Sequence, residues 1–242
     1  MSSAIRALEV YKSFNSRPVL ENFNLTVDAQ ESVALMGQSG SGKSVFLKCL
    51  LGLSPCDRGT LMIGPYSITR ESVKTQEDRF ACSGVVFQSY ALFDSLTVWE
   101  NVAFHSSAPL SQRRDQAISV LERVELKPEV ADLYPSEISG GMKRRVSIAR
   151  AIMHSPSYLF FDEPTEGLDP VFSFTISHLI REVVTQLKAT SITITHNLQN
   201  ACTIADRIVL LDQGQIAWQG SPQHVREASY PLMQDFLKSQ WI

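Results

Sequence analysis

Gly37-Gln38-Ser39-Gly40-Ser41-Gly42-Lys43-Ser44 sets two glycines around four residues and follows them with lysine and a hydroxyl residue, the pattern of a phosphate-cradling loop. Several backbone N–H groups must converge on one polyphosphate, and glycine reaches the dihedrals this needs while leaving room for the anion. In such a loop Lys43 meets the β- and γ-phosphates and the Ser44 hydroxyl holds Mg²⁺. The motif requires a strand before it and a helix after it. Glu31 to Met36 reads as a short apolar strand, and Val45 to Leu53 as a helix with Phe46, Leu47, Leu50 and Leu51 turned inward. The loop therefore sits at a helix N-terminus, where the dipole favours phosphate.

A pair of carboxylates follows a second apolar run. Asp162 and Glu163 come after Tyr158-Leu159-Phe160-Phe161, so both are expected at the C-terminal end of a central strand, where open α/β sheets bind ligands. Asp162 is placed for Mg²⁺, and Glu163 to polarise a water against the γ-phosphate. Ile138-Ser139-Gly140-Gly141-Met142 then opens a helix, with Ser139 as N-cap and two glycines leaving the first N–H groups unobstructed. By itself that stretch reads as a glycine-rich helix start. Beside the first loop it reads as a second anion site, and since one polyphosphate needs one cradle, the second points to a partner chain whose nucleotide it faces.

Ala4–Tyr11 and Val19–Val27 alternate around a turn at Asn15–Pro18 and predict an antiparallel hairpin. Strands are expected at Gly59–Ile63, Gly84–Phe87, Ser191–Thr195, Arg207–Leu211 and Gln215–Trp218, the last two joined at Asp212-Gln213-Gly214. A polar stretch over Thr69–Arg79 is expected to be helical. Helices are also predicted at Thr97–Phe104, Ser111–Val124, Ser139–Met153, Asn197–Ala205 and Pro231–Ser239. Another carries Phe172, Ile176, Leu179, Ile180, Val183 and Leu187 inward at spacings of three and four. No strand is expected between Ser89 and Ser155, which predicts a helical lobe inserted into an α/β core. The chain then divides as one domain over 4–242, with 4–88 and 156–242 forming the core and 89–155 the helical subdomain.

The 242 residues carry 44% hydrophobic and 19% charged side chains with a net charge of -3, which gives no global basic field for nucleic acid or an anionic membrane. Cys49, Cys56, Cys82 and Cys202 form no Cys-x-x-Cys pair and are expected as free thiols, the state that suits a reducing cytosol. Neither a signal-peptide layout nor an apolar run of membrane-spanning length occurs, so service to a membrane would go through another subunit. His105, His154, His178 and His224 lack metal-ligand spacing, and Lys143, Arg144, Arg145 and Arg150 read as the solvated face of a helix.

Over nearly its whole length the chain resembles the nucleotide-binding subunit of an ATP-binding cassette (ABC) transporter. Gly37–Ser44 matches the Walker A loop, Gln88 the Q-loop glutamine, Ser139–Met142 the signature, Asp162-Glu163 Walker B, Leu168-Asp169 the D-loop and His196 the switch histidine. The resemblance implies a P-loop NTPase with a RecA-like core, an N-terminal antiparallel β portion and an inserted helical subdomain. It implies an ATPase that takes ATP and Mg²⁺. Gln88 would join the metal and the attacking water to the permease interface, His196 would contact the γ-phosphate, and Ser139, Gly140, Gly141 and Asp169 would meet nucleotide across a head-to-tail pair. An aromatic near the N-terminus stacks on adenine in this family, and Phe14 fits that place better than Tyr11. Met142, where glutamine is usual, and Thr165-Glu166-Gly167 depart from the pattern.

Implied partners are a second copy of the chain, integral membrane permease subunits, a membrane-anchored substrate-binding subunit and a small accessory protein, with no nucleic acid. The implied location is the cytoplasmic face of the inner membrane. Val86–Val102, with its Leu92-Phe93-Asp94-Ser95-Leu96 run, and Ser139–Arg145 are similar to the Mla/Mce-type (MlaF/Mkl-like) phospholipid-transport ATPases. Tyr90, Leu92, Phe93 and Leu96 are then expected to line a groove for an amphipathic helix of the permease. A polar-solute ABC transporter subunit and a soluble ABC ATPase of cofactor assembly are the rival readings.

Overall fold

Asn15 and Ser16 both adopt positive φ, 49° and 61°, the requirement of a two-residue hairpin connection between right-twisted strands. They join β1 (Ile5–Phe14) to β2 (Arg17–Val27). The turn is tighter than the sequence predicts, because Arg17 and Pro18 already pair with Phe14 and Ser13. Proline is tolerated there since β2 is the edge strand of an antiparallel sheet ordered β2-β1-β4-β5, with β4 at Arg58–Ile63 and β5 at Tyr66–Ser67. The computed structural model describes residues 5–68 and 73–240.

The second sheet has six strands in the order β10-β9-β3-β8-β7-β6. These are β3 (Ser32–Met36), β6 (Ser83–Val86), β7 (Tyr158–Asp162), β8 (Thr190–Ile194), β9 (Arg207–Asp212) and β10 (Gln215–Gly220). All pair in parallel except β10, which returns antiparallel along β9. Every residue of β3 and β8 is buried, which is why these strands read as runs with little alternation: helices or a second sheet cover both of their faces.

Residues of β7 divide between two cores. Leu159 and Phe161 join Val98, Val102, Leu121, Ile148 and Ile180 on one face. Tyr158 and Phe160 join Phe46, Leu50 and the inner face of the antiparallel sheet on the other, as the two-residue strand period requires. The helices α3 (Val98–Val102), α4 (Leu110–Arg123) and α5 (Gly140–Ile152) lie between β6 and β7 in the chain. They share the first of these cores with α6 (Pro170–Leu187). The rest are α1 (Lys43–Leu50), α2 (Val73–Ala81), α7 (Leu198–Ile204) and α8 (Pro231–Gln240).

Some expectations shift. The helix predicted over Thr69–Arg79 appears as α2, and residues 69–72 lie outside the described residues. Thr97 is not the first turn of α3 but its N-cap, closed by a capping box with Glu100. Phe172, predicted to face inward, is 49% exposed, and Val171 and Phe174 near it are exposed further. The first turn of α6 lies beyond the packed core, and a Cβ placed on Gly141 would sit 3.2 Å from the Phe172 ring. All four cysteines are free thiols, and burial pushes Cys49 up to about 11.

The basic cluster on α5 corrects a prediction outright. Arg144 is buried, not solvated, and donates to the carbonyls of Phe87 at 2.7 Å and Gln88 at 2.8 Å. Its guanidinium carbon lies 4.8 Å from the centroid of the Tyr90 ring. Arg145 donates to Val124 O, and Arg150 to the carbonyls of Ala91 and Tyr90. The chain leaves the ladder after β6, so the carbonyls of Phe87, Gln88, Tyr90 and Ala91 need donors from elsewhere, and arginine's fan of N–H groups serves two at once. Arg144→Met keeps much of the volume but strips the donors from two carbonyls. It is expected to cost about 2–4 kcal/mol and to lower the thermal midpoint by roughly 5–10 °C, measured by calorimetry.

Candidate active site

The register of the parallel ladder sets the geometry. Leu35 and Asp162 both pair with Ile194, so β3, β8 and β7 end at one level. The phosphate loop leaves β3, Glu163 leaves β7 and His196 follows β8, all on one edge of the sheet. Gln38, Ser39, Gly40, Lys43, Ser44, Gln88, Glu163, Glu166 and His196 consequently line one cavity of about 750 Å³.

The Lys43 ammonium folds back over the loop, donating to Gly37 O at 2.8 Å and Gln38 O at 2.9 Å. Glycine has two different reasons within the loop. At Gly42 (φ +109°) an added Cβ would stand 2.8 Å from Val19 O, whereas at Gly40 (φ +82°) it would meet nothing within 4 Å. Gly40 therefore marks the open space above the loop, and Gly42 marks close packing below it. Ser41 Oγ is buried without a hydrogen-bond partner among the described residues. Ser41 is not among the residues that line the cavity, and its hydroxyl lies against the Gly37 backbone, 2.6 Å from where a Cβ on Gly37 would stand. The open space over Gly40, beside the Lys43 ammonium, is what fits an anion seated in the loop.

Ser44 Oγ lies 3.4 Å from Asp162 Oδ1, a pair of oxygen donors of the kind a Mg²⁺ ion shares with substrate phosphates. Asp162 also lines an adjoining recess with Phe87, Gln88, Ser89, Glu166 and Gly167. Glu163 Oε2 is 3.0 Å from His196 Nδ1. Glu163 itself has φ 46°, a left-handed conformation rare for a residue with a side chain and typical of functional turns. Its N–H donates to Ile194 O, which holds the strained residue at the end of β8.

Electrostatics follow from burial. Desolvation lowers the Lys43 ammonium, opposed by the nearby Glu163 and Asp162 charges. It raises Asp162, opposed by the Ser44 hydrogen bond, and raises Glu163, opposed by His196. One cation and two carboxylates are thus held partly out of water, each favouring its neutral form more than it would in solution.

The family model of ABC transporters matches residues 20–166, more than half of the chain. The chain belongs to the ABC transporter family. The probable ribonucleotide transport ATP-binding protein mkl of Mycobacterium leprae is 35% identical over 246 residues, covering 100% of this chain and 71% of that protein. The spermidine/putrescine import ATP-binding protein PotA of Aggregatibacter actinomycetemcomitans is 35% identical over 226 residues, covering 92% of this chain. The chain spans 59% of the length of that relative. Among solved structures, the dimeric bacterial ABC transporter cassette MJ0796 matches with a TM-score of 0.81 and 28% identity, over 90% of this chain and 98% of that one. CbiO1 of Clostridium perfringens, part of the ABC transporter complex cbiONQ, matches with a TM-score of 0.84 and 25% identity, over 99% and 96%.

Within this ABC cassette, some expected residues lie away from the cavity. Ser139, Gly140 and Gly141 open α5, where Ser139 Oγ accepts from Met142 N at 3.3 Å. Asp169 caps α6, accepting from Val171 N and Phe172 N at 3.1 Å each. None of these four lines the cavity around Lys43. Phe14 sits at the tip of β1, 48% exposed, with the Lys12 ammonium 5.1 Å from its ring centroid. The cavity's apolar lining comes instead from Val19, Val45 and Phe236. Sequence reasoning missed Val19, Phe236 and Glu166. The first two belong to elements far from the loop in the chain, while Glu166 was visible as a departure from the family pattern.

A pH test follows from Glu163. Burial raises its carboxyl in the folded state, so its contribution to stability is present in full below the unfolded value of about 4.3 and is lost as pH rises through the higher folded value. Glu163→Gln removes the charge. It is expected to unfold at a higher temperature than the wild type at pH 8, with the gap closing toward pH 4 in a series of thermal melts.

Proposed function

We propose that this chain binds and hydrolyses Mg-ATP as one of a head-to-tail pair and that the cycle drives a membrane permease. The convergence of Lys43, Ser44, Glu163, His196 and Gln88 on one cavity, with Asp162 against Ser44, carries the reading. Lys43 would exchange its two loop carbonyls for phosphate oxygens. Ser44, Asp162 and Gln88 would hold Mg²⁺, which when bound neutralises charge on the β- and γ-phosphates. Glu163 accepts the proton of the attacking water, and the His196 contact keeps its carboxylate in place.

Pairing explains the second anion cradle. Ser139, Gly140, Gly141 and Asp169 lie at helix N-termini outside the chain's own cavity, where they could serve a nucleotide held by the partner copy. The dimeric state of the related MJ0796 cassette supports this. Residues 89–155 would act as the lobe that carries this cradle, and 4–88 with 156–242 as the core that grips ATP. No helix among the described residues is long and apolar enough to cross a membrane. The chain would reach the cytoplasmic face of the inner membrane by docking on permease subunits, with a membrane-anchored substrate-binding subunit and a small accessory protein completing the assembly.

The docking reading rests on Phe93 and Phe104, which are 44% and 45% exposed and whose rings lie 4.5 Å apart. The buried Asn101 fixes the loop that presents Phe93, bonding to its N–H at 2.8 Å and its carbonyl at 3.0 Å. A rigidly held aromatic pair suits the anchor of a groove for a partner helix. Phospholipid is the cargo favoured by the similarity of Val86–Val102 and Ser139–Arg145 to lipid-transport ATPases. A polar solute is the second reading, favoured by the relatives named for polyamine and ribonucleotide transport.

Glu163→Gln keeps shape but removes the accepting charge. ATP hydrolysis is expected to fall by about 10²–10⁴-fold while ATP binding persists, and the ATP-loaded variant should elute as a dimer. Turnover like that of the wild type would refute the assignment. Phe93→Asp is expected to weaken the permease complex by roughly 2–4 kcal/mol without loss of nucleotide binding by the free chain. Co-purification measures this, and lipid analysis of the intact complex separates the two cargoes.

A further inference from the structure

Gln88 is held at both ends. Its backbone carbonyl accepts from Arg144 Nη2 at 2.8 Å, and its side-chain Nε2 donates to Glu166 Oε2 at 2.7 Å. A carboxylate can only accept, so the amide must turn its NH₂ end to Glu166, which leaves the Oε1 end free. A hard cation takes oxygen and not an amide nitrogen. Glu166 therefore selects the one orientation of Gln88 in which the amide can serve a metal.

Glu166 is brought there by a turn that begins at the strained Glu163, since Glu166 N donates to Glu163 O at 3.1 Å. It lines both the main cavity with Lys43 and Ser44 and the recess with Asp162. No role in the proposed mechanism accounts for a third carboxylate there. We infer that Glu166 is a positioning residue for the metal site, acting through Gln88 by fixing which end of its amide faces the ion. This rests on the reading of Ser44, Asp162 and Gln88 as the groups that hold Mg²⁺.

The test is a double-mutant cycle on metal binding. Mn²⁺ is titrated into the full chain loaded with a non-hydrolysable ATP analogue, with protein in excess over nucleotide, and bound ion is counted by loss of the free-ion EPR signal. Glu166→Ala is expected to weaken Mn²⁺ binding by about ten-fold, the usual scale for a group that orients a ligand. Gln88→Ala should do the same, and the double variant should be no worse than either single one, because Glu166 has nothing left to orient. Analogue affinity measured in EDTA should match the wild type in all three, which a merely structural defect would not permit. A Glu166→Ala affinity within two-fold of wild type overturns the inference. So does a double variant whose losses multiply, since Glu166 would then act on the ion directly. If the analogue binds to the wild type but no Mn²⁺ follows it, the metal site itself falls, and the inference falls with it.

Discussion

In the ladder β3–β8–β7, Leu35, Ile194 and Asp162 share one level, so three chain segments leave the sheet within a residue or two of one another. Parallel pairing makes this possible, because all three strands then end on the same edge. Slipping one strand by a single residue would turn its side chains to the opposite face and move its exit along the edge. The full burial of β3 and β8 on both faces resists such a slip. The phosphate loop, the Glu163 turn and His196 each depend on this shared level, and none could be placed by its own local structure.

The edge is electrostatically uneasy. Lys43 is satisfied by the loop's own carbonyls, Ser41 Oγ has no partner among the described residues, and burial disfavours charge on Asp162 and Glu163. A bound polyphosphate with a divalent cation would supply Lys43 with an anion and Asp162 with a cation. Polar groups held in place and partly dry make a preorganised electrostatic site.

Helix α5 ties its own N-terminus to the segment that follows β6. Its N-terminus carries Ser139 and the paired glycines, while Arg144, Ser147 and Arg150 further along bond to the carbonyls of Phe87, Gln88, Tyr90 and Ala91. The segment holding Gln88 and leading to Phe93 is thus fastened to the helix that Ser139 caps. A shift of either one should displace the other, since Arg144 and Arg150 each bond to two carbonyls of the segment.

The sequence by itself determined the phosphate loop, the strand-end carboxylates and the order of elements, because each is written in local chemistry: glycine dihedrals, apolar runs and helix caps. Hairpins and strand ends fell within a few residues of their predicted places for the same reason. Only the tertiary structure decided that Arg144 is buried, since a basic run looks alike whether it meets water or a set of unpaired carbonyls. Phe172 was misjudged because helical spacing says which residues share a face but not how far the covering core extends. Glu166 stood in the sequence as an unexplained departure, and its contact with Gln88, 78 residues away in the chain, exists only because β6 and β7 lie side by side.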